Sequence, residues 1–172
     1  MSLTDALIRI SIELEENQIE FALIGGLALA AHGVVRATID IDFLVHGNQK
    51  KKVKEIFLNM QYRVANETEN VLQVAGEAQV DMIFANRPLS QDMLKSADKI
   101  SGFPCPVVKA EDIIGLKVQA YKNDLTREYQ DKADIQALIT NNDDLNWDKI
   151  NEYASLFGEE RVINELKIRA GK

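Results

Sequence analysis

Thr38-Ile39-Asp40-Ile41-Asp42-Phe43-Leu44-Val45 alternates strictly. Thr38, Asp40, Asp42 and Leu44 face one way along an extended chain, and Ile39, Ile41, Phe43 and Val45 the other. The segment is therefore read as a strand. Aspartates at i and i+2 project from one face, roughly 6–7 Å apart along the strand at a rise of ~3.3 Å per residue. Left side by side, two carboxylates repel, and one is driven toward protonation. Magnesium resolves the conflict, because it takes one or two carboxylates together with waters and substrate phosphates. No lysine or arginine lies on the same strand to do so instead. The plain alternative is an edge strand whose aspartates simply face water.

Upstream, Glu20 to Ile24 reads as a short buried strand ending at Gly25-Gly26, and Leu27 to His32 as a short helix closed by Gly33. A glycine pair between a strand and a helix lets backbone N–H groups approach a ligand, and a helix N-terminus favours phosphate. A tight turn explains the pair equally well. Ser2-Leu3-Thr4-Asp5 has capping-box spacing before Leu7, Ile10 and Leu14, which predicts a first helix over about 3–17.

Downstream, Gly47 closes the strand and Asn48 is placed to cap a helix reaching about Met60, with Val53, Ile56 and Phe57 inward. Val71–Ala75 and Gln79–Phe84 read as a hairpin joined through Gly76-Glu77. On its second strand Val80, Met82 and Phe84 share one face; Gln79, Asp81 and Ile83 share the other. A short helix near Ser90–Lys99 and a strand at Pro106–Lys109 follow. The pattern then turns helical: Ile113 to Leu125, Tyr129 to Ile139, Trp147 to Phe157 and Glu159 to Arg169, with a turn at Asn141–Asp144. The expectation is an α/β core over 1–109 and a helical region over 110–172 packed on it, sharing a cleft.

Several classes are disfavoured. The longest apolar run, Phe21 to Ala31, is too short for a bilayer and holds two glycines, so no membrane role is expected. No secretory signal is visible. One cysteine excludes an internal disulfide and, with two histidines, makes a structural zinc site improbable. A cytoplasmic protein is expected. Net charge −7 argues against broad nucleic-acid binding. The cluster Lys50, Lys51, Lys52 and Lys54 reads as a solvated helix face, with a polyanion contact as the alternative.

Together, Ile24-Gly25-Gly26, then Asp40-Ile41-Asp42 after thirteen intervening residues, then Val80-Asp81-Met82, resemble the signature of the nucleotidyltransferase superfamily that includes the polymerase-β-like enzymes. Arg36-Ala37-Thr38 before the aspartate pair looks like the branch related to AbiEii-type toxins. So does Lys117 followed by Arg127 and Asp131-Lys132-Ala133-Asp134, although Gln130 stands where a basic residue is expected. The resemblance implies a mixed β-sheet flanked by helices, with a C-terminal helical part. It implies that Asp40, Asp42 and Asp81 are catalytic and hold two Mg2+ ions. Gly25, Gly26, Arg36, Thr38 and Lys117 are the implied contacts to an NTP substrate. The implied activity is transfer of a nucleoside monophosphate from the NTP to an acceptor hydroxyl on RNA, a protein or a small molecule. The setting it implies is the toxin of a toxin–antitoxin pair, with an antitoxin protein as partner. The alternative is a nucleotide-binding or regulatory module that keeps the fold without transfer, or an interaction protein with merely solvated aspartates.

Other residues read structurally. Lys117, flanked by Leu116 and Val118, is alternatively a surface lysine. Arg36 contacts phosphate or salt-bridges the aspartate strand. His32 is a packed or capping histidine, and Asp131 and Asp134 cap a helix or face solvent. Cys105, between two prolines with no basic neighbour, is not expected to be reactive.

Overall fold

The computed structural model describes residues 2–172. It places the aspartate strand, β2 (Asp40–His46), at the centre of a seven-stranded mixed sheet. The other strands are β1 (Phe21–Ile24), β3 (Arg63–Glu67), β4 (Val71–Ala75), β5 (Gln79–Ala85), β6 (Asp98–Lys99) and β7 (Pro106–Val107), in the order β3-β4-β5-β2-β1-β7-β6. β2 runs antiparallel to β1 and parallel to β5, and β3, β4 and β5 form an antiparallel meander. The edge-strand alternative for the aspartates is thereby excluded.

The helices are α1 (Leu3–Glu16), α2 (Gly25–Ala31), α3 (Lys50–Asn59), α4 (Pro88–Lys95), α5 (Ala110–Asn123), α6 (Glu128–Asn141), α7 (Trp147–Phe157) and α8 (Glu160–Arg169). α1 opens with the expected capping box: Asp5 N–H donates to Ser2 Oγ at 3.1 Å, and Ser2 N–H to Asp5 Oδ2 at 2.9 Å. α3 departs from expectation at its start. His46, not Asn48, accepts from the chain, through Nδ1 from Asn48 N–H; a 3-10 turn over Gly47–Gln49 intervenes, and α3 begins at Lys50.

The chain forms two compact units. One runs to Ala28 and resumes over Arg36–Val108; the other comprises Leu29–Val35 and Lys109–Lys172. In the first, the alternation of β2 and β5 becomes a two-faced sheet. Ile41, Phe43, Val45, Val80, Met82 and Phe84 are buried on one face. On the other, Leu44 is buried while Asp40, Asp42 and Asp81 are half-exposed. The hairpin turn is pinned by Tyr62. A Cβ on Gly76 would lie 2.8 Å from the Tyr62 ring, and the Tyr62 hydroxyl donates to Glu77 at 3.2 Å. Burial and the Glu77 carboxylate push the Tyr62 phenol up to about 12.

In the second unit, α5 packs against α6 and α7. Gly115 permits the latter contact: a Cβ there would sit 2.7 Å from the Tyr153 ring. α7 ends at Gly158 in the left-handed conformation, φ 66°. Among the described residues no helix is long and apolar enough to cross a membrane.

Candidate active site

The sheet register brings the three sequence-predicted carboxylates together. Asp40 and Asp42 share the open face of β2, and parallel pairing sets Asp81 of β5 directly opposite Asp42. Ligand oxygens of Asp40, Asp42 and Asp81 all lie within 4.8 Å of one another. Like charges directly opposed across a ladder destabilise it, so the structure reproduces in space the repulsion that the spacing implied along the chain.

Neighbouring residues shape the cluster. Thr38 Oγ1 donates to Asp40 Oδ1 at 2.8 Å, and Gln73 Nε2 to Asp81 Oδ2 at 2.9 Å. The two glycines make room. Gly25 has φ +68°, and a Cβ there would lie 2.0 Å from Asp42 Oδ2. A Cβ on Gly26 would lie 2.7 Å from Thr38 Oγ1. The strand-to-helix turn is therefore glycine at both positions because side chains of the aspartate strand occupy that volume. Arg36 is half-buried, and its guanidinium donates to the Ala37 carbonyl at 3.2 Å.

Lys117 lies in the second unit, in surroundings the sequence did not foreshadow. It is 6% exposed, with Nζ 2.8 Å from Asp131 Oδ1 and 2.6 Å from Asp134 Oδ2. A surface lysine does not describe it. Asp131 and Asp134 are 1% and 3% exposed, which corrects their reading as capping or solvent-facing residues. They share one face of α6 at i, i+3 spacing, and a buried carboxylate requires a partner. Arg127 Nε reaches Asp131 at 3.2 Å, and Gln130 donates to Asp134 at 3.0 Å.

The lysine cluster is largely engaged within the fold. Lys50 donates to the Thr68 carbonyl, Lys52 to the Asn17 carbonyl at 2.5 Å, and Lys54 to Glu67 at 2.6 Å. His32 is half-buried at the end of α2, its carbonyl accepting from Asn142 at 3.1 Å. Burial pushes the Cys105 thiol up to about 11, away from thiolate chemistry.

Gln73 and Asn66 did not stand out in the sequence. The available signal was the hairpin: a turn centred on Gly76–Ala78 pairs Ala75 with Gln79, and so Gln73 with Asp81.

The donor set fits a hard divalent cation: three carboxylates, half-exposed, with oxygens converging on one open face. Several solved structures share the fold. The enzyme ANT(2″)-Ia in complex with adenylyl-2″-tobramycin is 18% identical over 94% of this chain and 99% of its own, with a TM-score of 0.73. An antigenic nucleotidyltransferase-like protein from Paracoccidioides brasiliensis is 15% identical over 96% and 92%, with a TM-score of 0.60. The lincosamide antibiotic adenylyltransferase LnuA, lincomycin-bound, is 16% identical over 78% and 94%, with a TM-score of 0.56. No curated protein gives a match. Residues 1–165 match the family described as uncharacterised nucleotidyltransferase, and the chain belongs to that family.

Proposed function

We propose that this nucleotidyltransferase-type enzyme transfers a nucleoside monophosphate from an NTP to a hydroxyl of a small molecule, using Asp40, Asp42 and Asp81 as ligands for two Mg2+ ions. The observation that carries the reading is the convergence of the three carboxylates on the open face of the central strands. Bound there, the ions supply charge neutralisation at the phosphates and a lowered pKa for the attacking hydroxyl. The bond formed joins the acceptor oxygen to the α-phosphorus; the bond broken releases pyrophosphate. Asp81 is assigned to the acceptor side, where it takes the hydroxyl proton. Gly25 and Gly26 offer backbone N–H groups to the phosphates, with Thr38 and Arg36 beside them. Lys117 is left out of these contacts, because Asp131 and Asp134 already balance its charge.

Two observations favour a small acceptor over RNA. Net charge is −7, and most of the lysine cluster is spent on internal contacts. ANT(2″)-Ia, solved in complex with adenylyl-2″-tobramycin, is matched over 99% of its length. Ile83, 39% exposed on the Asp81 face, provides apolar surface beside the carboxylates for such a molecule. The toxin setting and an antitoxin partner rest on the sequence resemblance alone, and the site geometry adds nothing to them.

The test is incorporation of α-labelled NTP in Mg2+, with cell RNA, cell protein and a panel of hydroxylated antibiotics as separate acceptors, and Asp40→Asn beside the native chain. Label in the small-molecule pool, lost in the variant, supports the proposal. Label in RNA or protein reassigns the acceptor. No label with Mg2+-dependent NTP binding leaves the regulatory module, and no binding at all overturns the reading.

A further inference from the structure

The cross-strand row that holds Asp42 and Asp81 continues outward. Its members are Ile24, Asp42, Asp81, Gln73 and Asn66, on β1, β2, β5, β4 and β3. Gln73 Nε2 donates to Asp81 Oδ2 at 2.9 Å, and Asn66 Nδ2 donates to Gln73 Oε1 at 3.0 Å. The polarity of this chain is forced. An ionised carboxylate only accepts, so Gln73 must turn its NH2 group toward Asp81. Its carbonyl then faces β3, and the fold places a donor there. Asn66 is that donor.

The backbone is arranged to put it there. β3 pairs with β4 in regular register at Arg63–Ala75 and Val64–Val74, then shifts, so that Asn66 opposes Gln73. Without the shift, the residue opposite Gln73 would be Ala65, which has no side-chain donor. Bulges recur beside active sites, where they re-aim a side chain. Here the bulge sits two strands from Asp81 and completes its hydrogen-bond chain.

We propose that Gln73 and Asn66 are positioning residues for the cation site: Gln73 fixes the rotation of the Asp81 carboxylate, and Asn66 fixes which way round the Gln73 amide lies. The inference rests on the reading of Asp81 as a cation ligand. With one oxygen of Asp81 engaged by Gln73, the second is presented to the ion at a set angle. Groups of this kind, one shell out from the ligands, contribute strongly to metal affinity; their loss typically costs about 10- to 100-fold.

The test is Mn2+ binding to the full chain, read by electron paramagnetic resonance without nucleotide, with circular dichroism as the check on folding. Gln73→Leu weakens Mn2+ binding by about 10- to 100-fold. Asn66→Asp is the sharper variant, since Asn66 is exposed on an edge strand and the change is isosteric. A carboxylate there attracts the Gln73 NH2 group and turns the amide carbonyl toward Asp81. The expected result is weaker binding by about 10-fold, the low end of that range. Simple charge addition predicts the opposite sign, because an extra negative charge attracts the cation. In the Gln73→Leu background, Asn66→Asp has no further weakening effect. Mn2+ binding in Gln73→Leu and Asn66→Asp equal to or tighter than native, while Asp81→Asn weakens it, overturns the inference and leaves the cation site standing. A native chain that does not bind Mn2+, or an Asp81→Asn variant that binds it undiminished, removes the cation site and this inference with it.

Discussion

Asp42 is the carboxylate most crowded by like charge, two residues from Asp40 on β2 and directly across the ladder from Asp81. Oxygens of the three lie within 4.8 Å of one another. At that separation a pair of unit charges costs about 0.9 kcal/mol in bulk water and about 3.5 kcal/mol at an effective dielectric of 20. The group is half-exposed, so the lower figure applies, and salt screens it further. Asp42→Asn removes two such pairs with almost no change in shape. In EDTA the variant is therefore expected to be more stable than the native chain by about 1–2 kcal/mol, a rise in melting temperature of roughly 2–8 °C at this chain length. Mg2+ reverses the order. A ligand at 100 times its dissociation constant adds about 2.7 kcal/mol to the state that binds it; the native chain gains this and the variant largely does not. Thermal melts of both proteins in EDTA and in millimolar Mg2+ give four midpoints whose order must cross. A variant that melts below the native chain in EDTA, or a Mg2+ increment equal in both, refutes the claim that repulsion among these carboxylates is offset by a cation.

Three further expectations follow from the geometry. Gly25→Ala places a methyl group 2.0 Å from Asp42 Oδ2 at φ +68°; it should cost about 1–2 kcal/mol through the left-handed backbone alone, and nucleotide transfer should fall far more than the melt does. Lys117→Met strands Asp131 and Asp134 without their shared cation; removal of one partner from a buried pair costs about 3–5 kcal/mol, measurable by urea denaturation. Cys105 and Tyr62 have folded-state values raised from 9 to about 11 and from 10 to about 12, first by burial in both cases. The folded state holds these protons more tightly than the unfolded one, so their contribution is complete below pH 9 and lost as pH rises through 11–12. Denaturation midpoints should decline across that interval, and Cys105→Ala should flatten its lower part.

The carboxylate strand was legible because its chemistry and its period coincide: Asp40 and Asp42 fall on one face of an alternation whose other face is Ile41, Phe43 and Val45. That β2 is central was left open by the pattern and comes from the structure. Leu44 lies on the aspartate face, and its burial means that this face too is covered beyond the site. Asp81 was placed by family resemblance, since nothing local to Val80-Asp81-Met82 specifies parallel pairing with a strand some forty residues earlier. β3 escaped notice because Arg63-Val64-Ala65-Asn66-Glu67 is mostly exposed and polar; an edge strand needs only a ladder, not an apolar face. The surface-lysine alternative for Lys117 failed because its partners arrive from α6, and helical spacing pairs Asp131 with Asp134 without saying which element they meet.

The supporting residues were harder to see than the proposed ligands. A divalent cation demands carboxylates, so ligand positions allow almost no other residue type and stand out against an apolar strand. Holding a carboxylate in place demands only a donor at the correct register, which many polar residues supply. Gln73 looks like any outward-facing residue of a hairpin, and Asn66 like any edge-strand polar residue. Their significance lies in the row they occupy, and that row exists because β3 shifts by one residue between Val64 and Asn66. A one-residue shift is invisible to hydrophobic pattern on a strand with no buried face. The information that orients Asp81 is therefore carried by backbone register, which only the folded sheet displays.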